Sequence, residues 1–160
     1  MTIFGLPLHP LVVHAAVVLA PLAALAALAY AVVPRWRWVL RHPVAVAAVL
    51  AAGSVQLAAM TGDGLEHSIG GSRAIQLHEM WAGRLQAACW VLAGVALLAW
   101  WALPHSSPIP HGHRSSRQIP AAEVLERASV IALPLVAVAT VVLTLLTGHA
   151  GAQAVWAGTP

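Results

Sequence analysis

Four apolar runs, Leu11–Val33, Val44–Met60, Leu85–Leu103 and Ala128–Thr147, hold no Asp, Glu, Lys or Arg, and they leave this chain few ways to fold. Each fits the roughly 17–25 residues that an α-helix needs to cross a hydrocarbon core about 30 Å thick. Lipid offers the backbone no hydrogen-bond partner, and the runs are too long for barrel strands, so each is expected to be a helix. With 60% hydrophobic and only 8% charged residues, the chain has too little polar surface to coat a soluble globule. The expected fold is therefore all-α, a four-helix transmembrane bundle in up-down-up-down order. It forms one transmembrane domain over residues 1–160, with helices at about 11–33, 44–60, 77–103 and 128–147. The third starts as an amphipathic extension ahead of its apolar run.

A cleavable leader is the competing reading of the first run, because Ala27-Leu28-Ala29 has the look of a cleavage site. Met1–Leu8 carries no Lys or Arg and the apolar stretch is long, so it is read as a retained span. The net charge of +3 lies in short loops and forms no basic stripe, which speaks against nucleic acid and makes the charge a guide to orientation. Arg35, Arg37 and Arg41 follow the first run, and Arg114, Arg117 and Arg127 follow the third. The other side has only Arg73 and Arg84. The positive-inside rule then places both termini outside, N-out/C-out. Trp36, Trp38, Trp100 and Trp101 mark the inner interface, Trp81 and Trp156 the outer one, and Trp90 is expected to pack inside the third span. The Pro-, Ser- and His-rich stretch at 104–120 reads as a mobile cytoplasmic loop. Pro120–Arg127 is expected to begin a helix at the inner surface, with Glu123 and Glu126 at its positive end.

Five of the nine histidines, His9, His14, His67, His78 and His149, fall at the ends of the runs on the outer face. Alone, an imidazole near a helix end is a capping or interfacial residue. Together with Asp63, Glu66 and Glu79 they put most of the chain's buried-side polarity in one place. Desolvating such groups without partners costs about 2–7 kcal/mol each, so they are expected to be paired or to bind a ligand. His105, His111 and His113 sit in the Pro/Ser-rich connector, with no neighbouring carboxylate or thiolate. Cys89 is the only cysteine, which excludes an intrachain disulfide and a Cys-x-x-Cys-His haem attachment. Phosphate-binding glycine loops and a Gly-x-Ser-x-Gly elbow are absent as well, so a stand-alone enzyme is not the expectation.

The opening Gly5-Leu6-Pro7-Leu8-His9-Pro10-Leu11-Val12-Val13-His14, the carboxylates Asp63 and Glu66 after the second run, His78-Glu79 opening the third helix, and Gly148-His149-Ala150-Gly151-Ala152 closing the fourth resemble one known family. This is the bacterial membrane-protein family called domain of unknown function 2231, in its actinobacterial branch. The resemblance covers nearly the whole chain. It implies a multi-pass protein of the bacterial plasma membrane and, because some relatives carry a fused Rieske iron-sulfur domain, a redox setting with a Rieske-type or other membrane redox subunit as partner.

Two binding chemistries and one structural role fit these residues. In the first, haem b is held for electron transfer by His14 and His149 as axial ligands, with His9 and His78 also lining the site and Glu79, Asp63 and Glu66 orienting the imidazoles. In the second, His9, His14, His78 and His149 bind a single Cu, Zn or Fe ion, with Glu79, Asp63 or Glu66 completing the shell. The third is a non-catalytic docking subunit.

Overall fold

The computed structural model describes residues 2–3, 6–69, 72–103 and 120–156, except for the side chains at 2, 3, 6–8, 63–69, 120 and 122. Four helices account for nearly all of them: α1 (Leu8–Val32), α2 (Arg37–Ile69), α3 (Arg73–Ala102) and α4 (Pro120–Trp156). A 3-10 turn, Pro34–Trp36, joins α1 to α2, and ahead of α1 Thr2–Ile3 pairs antiparallel with Leu6–Pro7. All four helices are long and apolar enough to cross a membrane. Pro21 and Pro134 lie inside α1 and α4 without ending them, a tolerance characteristic of membrane helices whose neighbours and Thr side chains satisfy the opened backbone.

Each helix runs past the apolar stretch that marks it. α2 continues through Gly62-Asp63-Gly64 to Ile69, and α4 continues through Gly148 and Gly151 to Trp156. A single glycine costs a helix only about 1 kcal/mol, which neighbouring turns absorb, so hydropathy ends before hydrogen bonding does. α3 starts at Ser72, whose hydroxyl accepts from the Ile75 N–H at 3.3 Å as an N-cap. Pro120–Arg127 begins α4 as expected, with an Arg127–Glu123 pair at 2.6 Å along it. The expected loop at 104–120 lies outside the described residues except for Pro120.

Sequence neighbours pack antiparallel and α4 returns against α1, which closes a ring; α1 and α3 barely touch across it. The packing closest within the ring is within the hairpins α1–α2 and α3–α4. Its seam is made of alanine: Ala20, Ala24 and Ala27 of α1, Ala48 and Ala52 of α2, and Ala99 of α3 are all fully buried. Small side chains let membrane helices approach until backbones are in van der Waals contact, the main driving force where lipid is as apolar as leucine. Leu11, Val18, Leu22 and Leu25 point outward on the opposite side of α1, the surface that meets lipid.

The end of the bundle that carries Arg37 and Arg41 is knitted shut. Arg37, only 8% exposed, folds back so that Nε and Nη2 donate to the carbonyls of Tyr30 (3.3 Å) and Ala31 (3.0 Å), capping α1. Arg41 Nε donates to the Trp100 carbonyl at 2.8 Å, near the end of α3, and its guanidinium lies 4.8 Å from the Trp100 ring. Trp100 Nε1 in turn donates to His42 Nδ1 at 3.2 Å, and the Tyr30 hydroxyl crosses the diagonal to the Ala99 carbonyl at 3.2 Å.

Candidate functional site

At the other end the helices part. Residues 9–17 of α1, 55–62 of α2, 75–86 of α3 and 144–156 of α4 line a cavity of about 750 Å³ with walls that are mainly apolar. That volume falls in the range of about 300–1,000 Å³ typical of small-molecule and cofactor sites. Its polar groups are few: His9, His14, His78, Glu79, Gln56, Gln86, Thr144 and Thr147.

His9 is placed by the first turn of α1 against α2. Its Nδ1 lies 3.0 Å from the Ala58 carbonyl and 3.2 Å from the Thr61 hydroxyl, and its ring rests on Gly62, where a Cβ would come within 3.1 Å of Cε1. His78 repeats the arrangement in the second hairpin. Its Nδ1 lies 3.0 Å from the Thr147 carbonyl, and its ring rests on Gly151, where a Cβ would come within 3.0 Å. In both hairpins the carbonyl belongs to the residue four positions before the glycine, Ala58 before Gly62 and Thr147 before Gly151. One helical turn thus supplies both the acceptor and the gap for the ring.

The tautomer follows from these bonds. A carbonyl oxygen only accepts, so Nδ1 carries a proton in each ring, and in the neutral imidazole Nε2 then keeps its lone pair. That is the arrangement in which an imidazole acts as a ligand through Nε2, held in orientation by its other nitrogen. His14 also places Nδ1 on a carbonyl, that of Pro10 in its own helix; its side chain lines the cavity but is exposed.

His149 is the one member of the expected set of four that faces elsewhere. It is exposed and does not line the cavity. At 100° per residue it stands about 200° around α4 from Thr147, so the face that turns Thr147 and Gly151 inward turns His149 outward. Glu79 lines the cavity and is half-buried. The side chains of Asp63, Glu66 and His67 lie outside the described residues, although their backbone belongs to α2. Among the described residues no three His, Cys, Asp or Glu side chains form a group able to hold a metal ion.

Sequence reasoning missed the cavity's lower polar residues as part of the site. Gln56 and Gln86 join α2 to α3: Gln86 Nε2 donates to Gln56 Oε1 at 2.6 Å. Both also line the cavity. Trp90 lies within the third span as expected; it is half exposed and donates its indole N–H to the same Gln56 oxygen at 3.2 Å. The Thr147 hydroxyl is buried and has no hydrogen-bond partner among the described residues.

A closed ring of four apolar helices, sealed at one end and hollow at the other, defines a small multi-pass membrane protein with a ligand-sized cavity. The chain belongs to the DUF2231 family, described as a predicted membrane protein, whose family model matches residues 5–159. The match is to the family and does not resolve the actinobacterial branch within it. No curated protein and no solved structure matches the chain.

Proposed function

We propose that this protein holds haem b in the cavity, with His9 and His78 as the axial imidazoles, and serves as an electron-transfer component at the extracytoplasmic face of a bacterial plasma membrane. The observation that carries this reading is the matched pair of imidazoles. They come from diagonally opposite helices, each is fixed by an Nδ1 bond to a carbonyl, and each keeps an Nε2 lone pair for a ligand. Apolar walls support the reading too, and Gly62 and Gly151 leave the imidazoles room. This replaces the pair His14 and His149, since His149 faces away. Bound there, haem supplies a one-electron iron couple whose potential follows the axial ligands, their hydrogen bonds and burial. In this reading Asp63, Glu66 and Glu79 would orient the imidazoles and tune that potential. The partner in this reading is a Rieske-type or other membrane redox subunit that meets the cavity mouth.

Spectroscopy of the protein purified from haem-supplied cells tests it. The expected result is a Soret band and a reduced-minus-oxidised spectrum that disappear in His9→Ala and in His78→Ala and persist in His149→Ala. Wild-type protein without haem, or full spectra in both His9→Ala and His78→Ala, overturns it. Stoichiometric Cu, Zn or Fe with no Soret band would overturn the haem reading in favour of a bound metal ion.

A further inference from the structure

The cavity floor is polar in a way that imidazole coordination does not use. Gln56 lies six residues from Gly62 and Gln86 eight residues from His78. At 1.5 Å per residue the two amides sit about 9 Å and about 12 Å below the histidine level, within the spans of α2 and α3. Their orientation is fixed by Trp90. An indole N–H only donates, so the Gln56 atom it meets is the oxygen, and Gln86 must then present its nitrogen to that same oxygen. Left over are the Gln56 –NH2, the second N–H of Gln86 and the Gln86 carbonyl. Neither residue makes any further hydrogen bond among the described residues, and both line the cavity. The floor therefore offers amide donors and an acceptor side by side, in a cavity that Val17, Val55 and Leu85 also line.

In hydrocarbon such groups call for a partner. An ester carbonyl uses only a donor. A ligand that only donates uses only the acceptor. A quinone oxygen uses either one in turn: as a carbonyl it accepts from Gln56 Nε2–H, and as the hydroxyl of the quinol it donates to Gln86 Oε1. We infer that the cavity floor is a binding site for the head group of a lipid-soluble quinone and its quinol, with Gln56 and Gln86 as the recognising pair. The apolar walls suit the flat ring, and the same two amides hold it in both oxidation states. The site stands on the glutamine pair, independently of haem ligation by His9 and His78.

Titrating the purified full chain in detergent with a short-chain ubiquinone, and following quenching of tryptophan fluorescence, tests the inference. Wild type should show saturable quenching. Gln56→Met and Gln86→Met keep volume and remove the amide, and each should weaken binding by about tenfold or more, the loss expected for one buried hydrogen bond left unmade. Unchanged elution volume and helical circular dichroism will show that both variants are folded. Equal affinity in the folded Met variants, or quenching that rises linearly and identically in all three proteins, overturns the site. Haem content is read separately from the Soret band. A haem-free protein with glutamine-dependent binding would sink the haem reading and leave this one standing, and a haem-loaded protein without such binding would do the reverse.

Discussion

What sets His9 and His78 apart is the atom each ring leaves unused. Backbone carbonyls of the neighbouring helix take the Nδ1 protons, and the rings lie flat enough on Gly62 and Gly151 that a methyl group at either position would come within 3.1 Å of them. Gly62→Ala and Gly151→Ala are therefore expected to separate two properties. Alanine favours a helix over glycine by roughly 0.5–1 kcal/mol, so thermal stability in detergent should hold or rise. Each imidazole must move by a few tenths of an ångström, its carbonyl bond lengthens, and haem retention on a desalting column should fall several-fold. Gly53→Ala, where nothing lies within 4 Å of the added methyl, is the matched control and should retain haem as wild type does. Equal retention in all three variants would show that ring position is immaterial. These glycines could not be singled out from sequence, because their role is to stand opposite a histidine 53 or 73 positions away, and that pairing is created by helix packing. His149 misled for a related reason. Its place along the chain put it at the right height, but only the rotation of α4 decides which way it points.

Helix ends show what hydropathy does and does not carry. The four apolar runs were legible because burying charge in lipid is costly, and the four helices stand where those runs do. The ends were not legible, since α2 and α4 continue for two turns or more into residues of mixed polarity. Capping at the sealed end was equally hidden. Arg37 read as an orientation signal, yet it is a buried cap on the last carbonyls of α1, and the 3-10 turn at Pro34–Trp36 is what brings it back over them. Arg37→Ala leaves the Tyr30 and Ala31 carbonyls without these donors, a loss of about 1–3 kcal/mol by the usual cost of an unmade buried bond. The expected outcome is a lower melting temperature in detergent with an unchanged cavity, and Arg37→Lys should recover part of it. A melting temperature unaffected by Arg37→Ala would mean that water or headgroups replace the cap at no cost.

At the scale of the whole molecule the two hairpins are variations on one design, each with a histidine on its rising helix seated over a glycine on its falling one. An even number of spans puts the start of α1 and the end of α4 on one side, and the cavity opens on that side. Which side of the membrane this is depends on charge. The sealed end carries Arg35, Arg37, Arg41 and Arg127, and the cavity end carries Arg73 and Arg84, the latter with its guanidinium 4.6 Å from the Trp81 ring. Positive charge is retained on the cytoplasmic side during insertion, so the cavity should open outward. Burial of Arg37 does not weaken this argument, because the charge acts on the inserting chain before the bundle packs. In a Cys89→Ala background, two exposed positions report the outcome: Gln153 near the cavity end of α4 and Ala121 near its other end. A membrane-impermeant maleimide added to intact cells should label Gln153→Cys and should reach Ala121→Cys only after permeabilisation. The reverse pattern would place the cavity in the cytoplasm, where a haem at its mouth would meet a cytoplasmic electron carrier and not a Rieske-type subunit facing outward.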